Sequence, residues 1–77
     1  MSRGESTEMI STTLYVGWLY LKNIRNYLND LIDNKGYQIQ YEESLQIFQN
    51  KFVLYGTQRD IMYAQNKIQQ YLNGFSF

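Results

Sequence analysis

The sequence predicts a small α+β domain, and three patterns predict it. Apolar residues recur three and four positions apart in two stretches, residues 21–32 and 61–72, as amphipathic helices require. Between them Tyr37-Gln38-Ile39-Gln40-Tyr41 alternates apolar with polar side chains, and Phe52-Val53-Leu54-Tyr55 is apolar at every position. The first pattern suits a strand with one wet face, the second a central strand flanked on both sides. A chain of 77 residues holds one domain at most. Its expected extent is 8–74, with tails at 1–7 and 75–77.

The elements follow in order. Residues 1–7 are small and polar, with too little apolar surface to offset the entropy of ordering them. From Glu8 to Thr13 the β-branched Ile10, Thr12 and Thr13 suit a short strand. A helix is predicted over 24–34, where Leu21, Ile24, Leu28, Leu31 and Ile32 form the stripe and Asn26, Asn29, Asp30 and Asp33 the wet face. Asn34-Lys35-Gly36 ends it, because Gly takes the left-handed conformation after the last turn without penalty. The strand at 37–41 follows; the connection 42–51 reads two ways, since Leu45 and Ile47 could extend a strand while Asn50-Lys51 has turn composition. After the strand at 52–55, a last helix is predicted over 58–72 with Ile61, Ala64, Ile68, Tyr71 and Leu72 on its stripe. Thr57 and Asp60 have capping-box spacing at its start, and Asn73-Gly74 stops it. Phe75 and Phe77 lie beyond the stop.

Composition excludes much chemistry. With no Cys and no His, thiol catalysis, disulfides, the usual zinc sites and histidine acid–base chemistry are all removed. Glu42 and Glu43 are adjacent on an expected strand and point to opposite faces, so they are no acid–base pair. No Gly-rich phosphate cradle of the nucleotide-binding types is present. The expectation is a protein that is not an enzyme and uses no cofactor or metal. Seven basic residues balance seven acidic ones, unlike a domain that grips nucleic acid mainly by charge. The longest apolar run, Leu14 to Leu21, is far short of the roughly 20 residues needed to span a bilayer. No secretory signal pattern opens the chain, so no membrane association and an intracellular, cytoplasmic location are expected.

Several short motifs resemble those of a type I K-homology (KH) domain from Ile10 to Leu72. In the second half these are Phe52-Val53-Leu54-Tyr55-Gly56-Thr57 and the offsets Ile61, Ala64, Ile68 and Leu72; in the first, Val16-Gly17 and Gly36-Tyr37-Gln38-Ile39. The resemblance implies a small three-stranded antiparallel sheet with two to three helices packed on one face, in the order βααββα. Other small folds of βαββα order remain open. In this reading Gly56 permits the tight corner from strand to helix, and Ala64 lets the helix sit close on the sheet.

One departure stands at the family's functional loop. Where a Gly-x-x-Gly would let bare backbone amides approach nucleic-acid phosphates, this chain has Leu21-Lys22-Asn23-Ile24, whose large side chains would crowd that path and favour continuous helix. Lys22, Asn23 and Arg25, with the tyrosines Tyr20 and Tyr27 beside them, are the candidate contacts for RNA or a partner; Tyr63 is a further exposed candidate. The resemblance thus implies a non-catalytic component of an RNA–protein assembly, with weak or absent binding through the degenerate Gly-x-x-Gly loop. A protein-binding adaptor is the alternative, presenting aromatic surface from the Leu14–Leu21 segment or from Phe75 and Phe77, since Tyr and Trp anchor protein interfaces. A third reading is a homo-oligomer formed by pairing exposed strand edges.

Overall fold

A computed structural model describes residues 8–74; the expected tails at 1–7 and 75–77, with Phe75 and Phe77, lie outside the described residues. Strand β1 (Met9–Gly17) is followed by one 3-10 turn (Trp18–Tyr20) and helix α1 (Leu21–Asp33). Strands β2 (Ile39–Gln46) and β3 (Gln49–Thr57) form a hairpin, and helix α2 (Gln58–Leu72) closes the chain. The sheet is antiparallel with order β1-β3-β2, so β3 is central. That position explains a strand with apolar residues on both faces.

The period-two geometry of the strands sorts the side chains. Leu14 and Val16 of β1, Phe52 and Leu54 of β3, and Ile39 of β2 are buried on one face. Both helices cover that face, α2 over β1 and β3 and α1 over β2, contributing Ile24, Leu28, Leu31, Ile61, Ala64 and Ile68. The opposite face of the sheet carries Ser11, Thr13, Tyr15, Lys51, Val53, Tyr55, Gln40 and Glu42 and is wet.

The coarse architecture is that of the sequence reading, but the order βααββα is not. Only one α-helix lies between β1 and β2. The segment expected to open a first helix at Val16-Gly17 is the end of β1, because Val16 is fully buried opposite Asn50 and completes the inner face begun by Ile10. Trp18–Tyr20 then make a single turn, too short for an α-helical hydrogen bond of its own. β1 therefore runs four residues past Thr13, and α1 begins at Leu21 instead of Ile24.

The hairpin also differs from expectation. Its turn is Ile47-Phe48, and Asn50-Lys51 lie inside β3. Asn50 is fully buried and donates to the Glu43 carboxylate across the β2–β3 pair, which holds it in the strand despite its turn-forming composition. Glu43 is only part-exposed while Glu42 is exposed, as opposite faces require. Tyr37 precedes β2 instead of opening it, yet packs against the core.

Two corners are built as anticipated and two are not. Gly36 has φ 71°, and the amides of Asn34 and Lys35 donate to the Asp30 carbonyl, closing α1 in the left-handed manner. Gly74 has φ 105° and donates to Tyr71 after α2. The Thr57 side chain makes no cap bond, and Asp60 instead accepts from the backbone amide of Gln38 at 2.8 Å, tying α2 to the entry of β2. Gly56 does not owe its identity to a left-handed corner: a Cβ there would lie 1.9 Å from the Gln38 carbonyl oxygen. Close backbone approach is what excludes a side chain.

Candidate interaction surface

The Lys22–Arg25 corner forms the first turns of α1 and is helix throughout. Ile24 is fully buried and Leu21 half-buried, so these side chains point into the core and do not crowd an outer path, as the sequence suggested they would. The glycine-free backbone is instead wound into the helix.

Most of the polar groups at this corner are engaged within the chain. Arg25 makes a two-pronged pair with Glu43, Nε donating to Oε1 at 2.7 Å and Nη2 to Oε2 at 2.5 Å. The guanidinium hydrogen bonds, together with the Asn50 amide, hold the Glu43 carboxyl below its ordinary range. Asn23 donates to the Tyr71 hydroxyl on α2. Tyr20 lies edge-on to Tyr71 with ring centroids 5.7 Å apart. Tyr27 is part-buried, and burial, followed by the neighbouring Tyr63, pushes its hydroxyl well above the ordinary phenol range. Tyr37 stands 5.4 Å from Tyr63 between ring centroids. The structure thus brings Tyr20, Asn23 and Arg25 into contacts that join α1 and the turn before it to α2 and to β2. Lys22 remains exposed.

A different surface stands out at the same end of the sheet. Pairing of Gly17 with Gln49 sets the 3-10 turn beside the hairpin turn, and the rings of Trp18 and Phe48 approach to 6.4 Å between centroids. Trp18, Leu19, Leu45, Ile47 and Phe48 gather at this tip, each between 62% and 89% exposed. At about 150 Å² each and roughly four-fifths exposed, the five side chains present on the order of 600 Å² of apolar surface, at the top of the range for a monomer. The largest apolar patch of a typical monomer is roughly 300–600 Å². Leu45 has the parity of a core residue, following Ile39, Tyr41 and Glu43 on the inner face, yet among the described residues no helix reaches over it.

Phe48 carries a second anomaly. Its φ of 70° places a bulky residue in the left-handed region, where Gly or Asn would be cheaper by roughly 1–2 kcal/mol. Being 78% exposed, it recovers little of that by burial. In the sequence Trp18 and Leu19 stand out in the apolar Leu14–Leu21 segment, whereas Leu45, Ile47 and Phe48 look like interior strand residues. The available signal was three large apolar residues where a hairpin turn would normally carry Gly, Asn or Asp.

Elsewhere, a shallow cleft of about 280 Å³ lies between Lys35, Gly36, Tyr37, Arg59, Asp60 and Tyr63. Among the described residues no cluster of three metal-ligating side chains occurs, and no helix is long and apolar enough to cross a membrane. Comparison with protein-family models, with curated proteins and with solved structures finds no match.

Proposed function

We propose that the chain is a non-catalytic binding module, on a small α+β scaffold, that docks a protein partner through the Trp18–Phe48 tip. The observation that carries this reading is Phe48: an exposed aromatic held in a left-handed conformation costs stability and returns little within the chain beyond its ring contact with Trp18. The four apolar neighbours supply the rest of an anchor cluster, and a patch of this size would form the apolar centre of one side of a standard protein interface, about 800 Å² in all. Membership of an RNA–protein assembly is compatible with this role, the protein neighbour being the direct contact. Direct gripping of RNA at the Lys22–Arg25 corner is disfavoured by the internal engagement of Asn23 and Arg25.

The test is co-precipitation from the native cell with tagged wild-type protein and with the Trp18→Ser, Phe48→Ser double variant, before and after ribonuclease treatment. The expected result is a discrete set of proteins that resists ribonuclease and is lost with the double variant, while the variant's far-UV circular dichroism and melting are unchanged. Proteins retained by the variant, or released by ribonuclease, would overturn it.

A further inference from the structure

Among the described residues the sheet has two open edges, and they differ in kind. β2 carries Glu42 and Glu43 and is the sort of edge that resists pairing with another chain. β1, Met-Ile-Ser-Thr-Thr-Leu-Tyr-Val-Gly, is nine residues long with no charge and no proline, and it lies at the outside of the order β1-β3-β2. Extended, it offers about 30 Å of edge.

The helix above that edge is matched to it. α2 packs over β1 and β3, and its contacts with α1 and the segments flanking α1 come from one side: Tyr71 meets Asn23 and Tyr20, and Tyr63 meets Tyr37. At 100° per residue the other flank, facing past β1, is Gln58, Met62, Gln65, Gln69 and Leu72. It too is without charge. Arg59, Asp60 and Lys67 lie toward solvent or toward α1.

We infer that this edge takes a second copy of the chain, two β1 strands pairing antiparallel about a two-fold axis at Thr13 into one six-stranded sheet, with the α2 flanks side by side above it. The inference goes beyond the tip and does not rest on it. A two-fold axis demands that the surface complement itself, and this register does so. Ile10 faces Val16 and Thr12 faces Leu14 on the helix side, while Ser11 faces Tyr15 on the wet side. Inner-face residues meet inner-face residues, so the half-covered Ile10 and Thr12 at the margin of one core join the other. No charge opposes another along the strand or the flank, and the zero net charge of the chain leaves no global repulsion to hold two copies apart. The two tips then point to opposite ends of the assembly, making it bivalent.

Sedimentation equilibrium of the full chain, from about 1 to 100 µM, decides the matter, since a self-associating protein changes mass with concentration. The expected mass is twice 9.3 kDa at the upper concentrations. Thr13→Lys sets two cations against each other at the axis from an exposed position, and Met62→Glu sets two anions on the flank. Each should return the monomer mass with unchanged circular dichroism, whereas Trp18→Ser with Phe48→Ser should leave the dimer intact. A wild-type chain that stays at 9.3 kDa throughout would overturn the inference, as would a dimer that survives Thr13→Lys and Met62→Glu but is lost with the tip variant. The proposed role of the tip stands or falls separately.

Discussion

Replacing Gly56 with Ala perturbs one point where the packing leaves no latitude. The new Cβ would sit 1.9 Å from the Gln38 carbonyl oxygen and 3.1 Å from the Ile39 Cα, and both obstacles are backbone. An ordinary carbon–oxygen contact needs about 3.3 Å, so β3 and the entry of β2 must separate by roughly 1.4 Å. That movement stretches the Thr57 amide to Gln38 carbonyl bond, now 3.2 Å, beyond hydrogen-bonding range. It also pulls Gln38 from the buried Asp60 carboxylate that accepts its amide at 2.8 Å. Overpacking costs about 1–3 kcal/mol and each weakened bond about 1 more, giving a loss on the order of 3–5 kcal/mol. A domain of this size has only about 4–12 kcal/mol to lose. Thermal and urea unfolding, followed by circular dichroism, should show a melting temperature lower by at least about 12 °C, or no folded baseline. Gly17→Ala is the control: the nearest atom to its Cβ is the Tyr20 ring at 4.0 Å, and the change should stay within about 0.5 kcal/mol. If both variants melt within a few degrees of the wild type, the account of the β2–β3 approach is wrong.

Three further outcomes rest on the same set of contacts. Phe48→Gly should raise stability by about 1 kcal/mol in urea titration, by relieving the left-handed residue, while abolishing partner capture; a destabilised variant would show that Phe48 serves the fold. The Glu43 carboxyl, held low chiefly by its hydrogen bonds from Arg25, contributes stability that is present above the ordinary carboxylate value and is lost as pH falls through the lowered folded-state value. Unfolding midpoints of wild type and Glu43→Gln should therefore converge as pH is lowered through and below 4.5, and parallel curves would contradict the pairing. Ala64→Leu, at a fully buried site between α2 and the sheet, should cost about 1–3 kcal/mol, measured the same way, because the helix cannot approach as closely.

Local periodicity made much of the fold legible in the sequence. The stripes Ile24-Leu28-Leu31 and Ile61-Ala64-Ile68 are buried as their spacing requires, and the doubly apolar run at Phe52–Tyr55 is the central strand. The full length of β1 is hidden in the sequence because Tyr15, on the wet face, interrupts an alternation that Ile10, Thr12, Leu14 and Val16 otherwise keep. The hairpin turn is hidden in the sequence because Asn50 has turn chemistry but finds a part-buried partner in Glu43, while Ile47-Phe48 turns without any. The tip was half visible. Trp18 and Leu19 lie in a conspicuous apolar run, but the exposure of Leu45 depends on where the helices stop, a tertiary fact that no window of sequence contains. Conversely, Asn23 and Arg25 look available in sequence and are engaged in space by Tyr71 and Glu43.

In the proposed mode of action the protein works through the Trp18–Phe48 tip and not through the Lys22 corner. Site-specific photo-crosslinking in the native cell compares the two directly, with benzoylphenylalanine placed at Phe48 in one strain and at Lys22 in another, both positions being exposed. The account predicts discrete protein adducts from position 48 and no RNA adducts from position 22. RNA captured at position 22, with nothing captured at position 48, would contradict it.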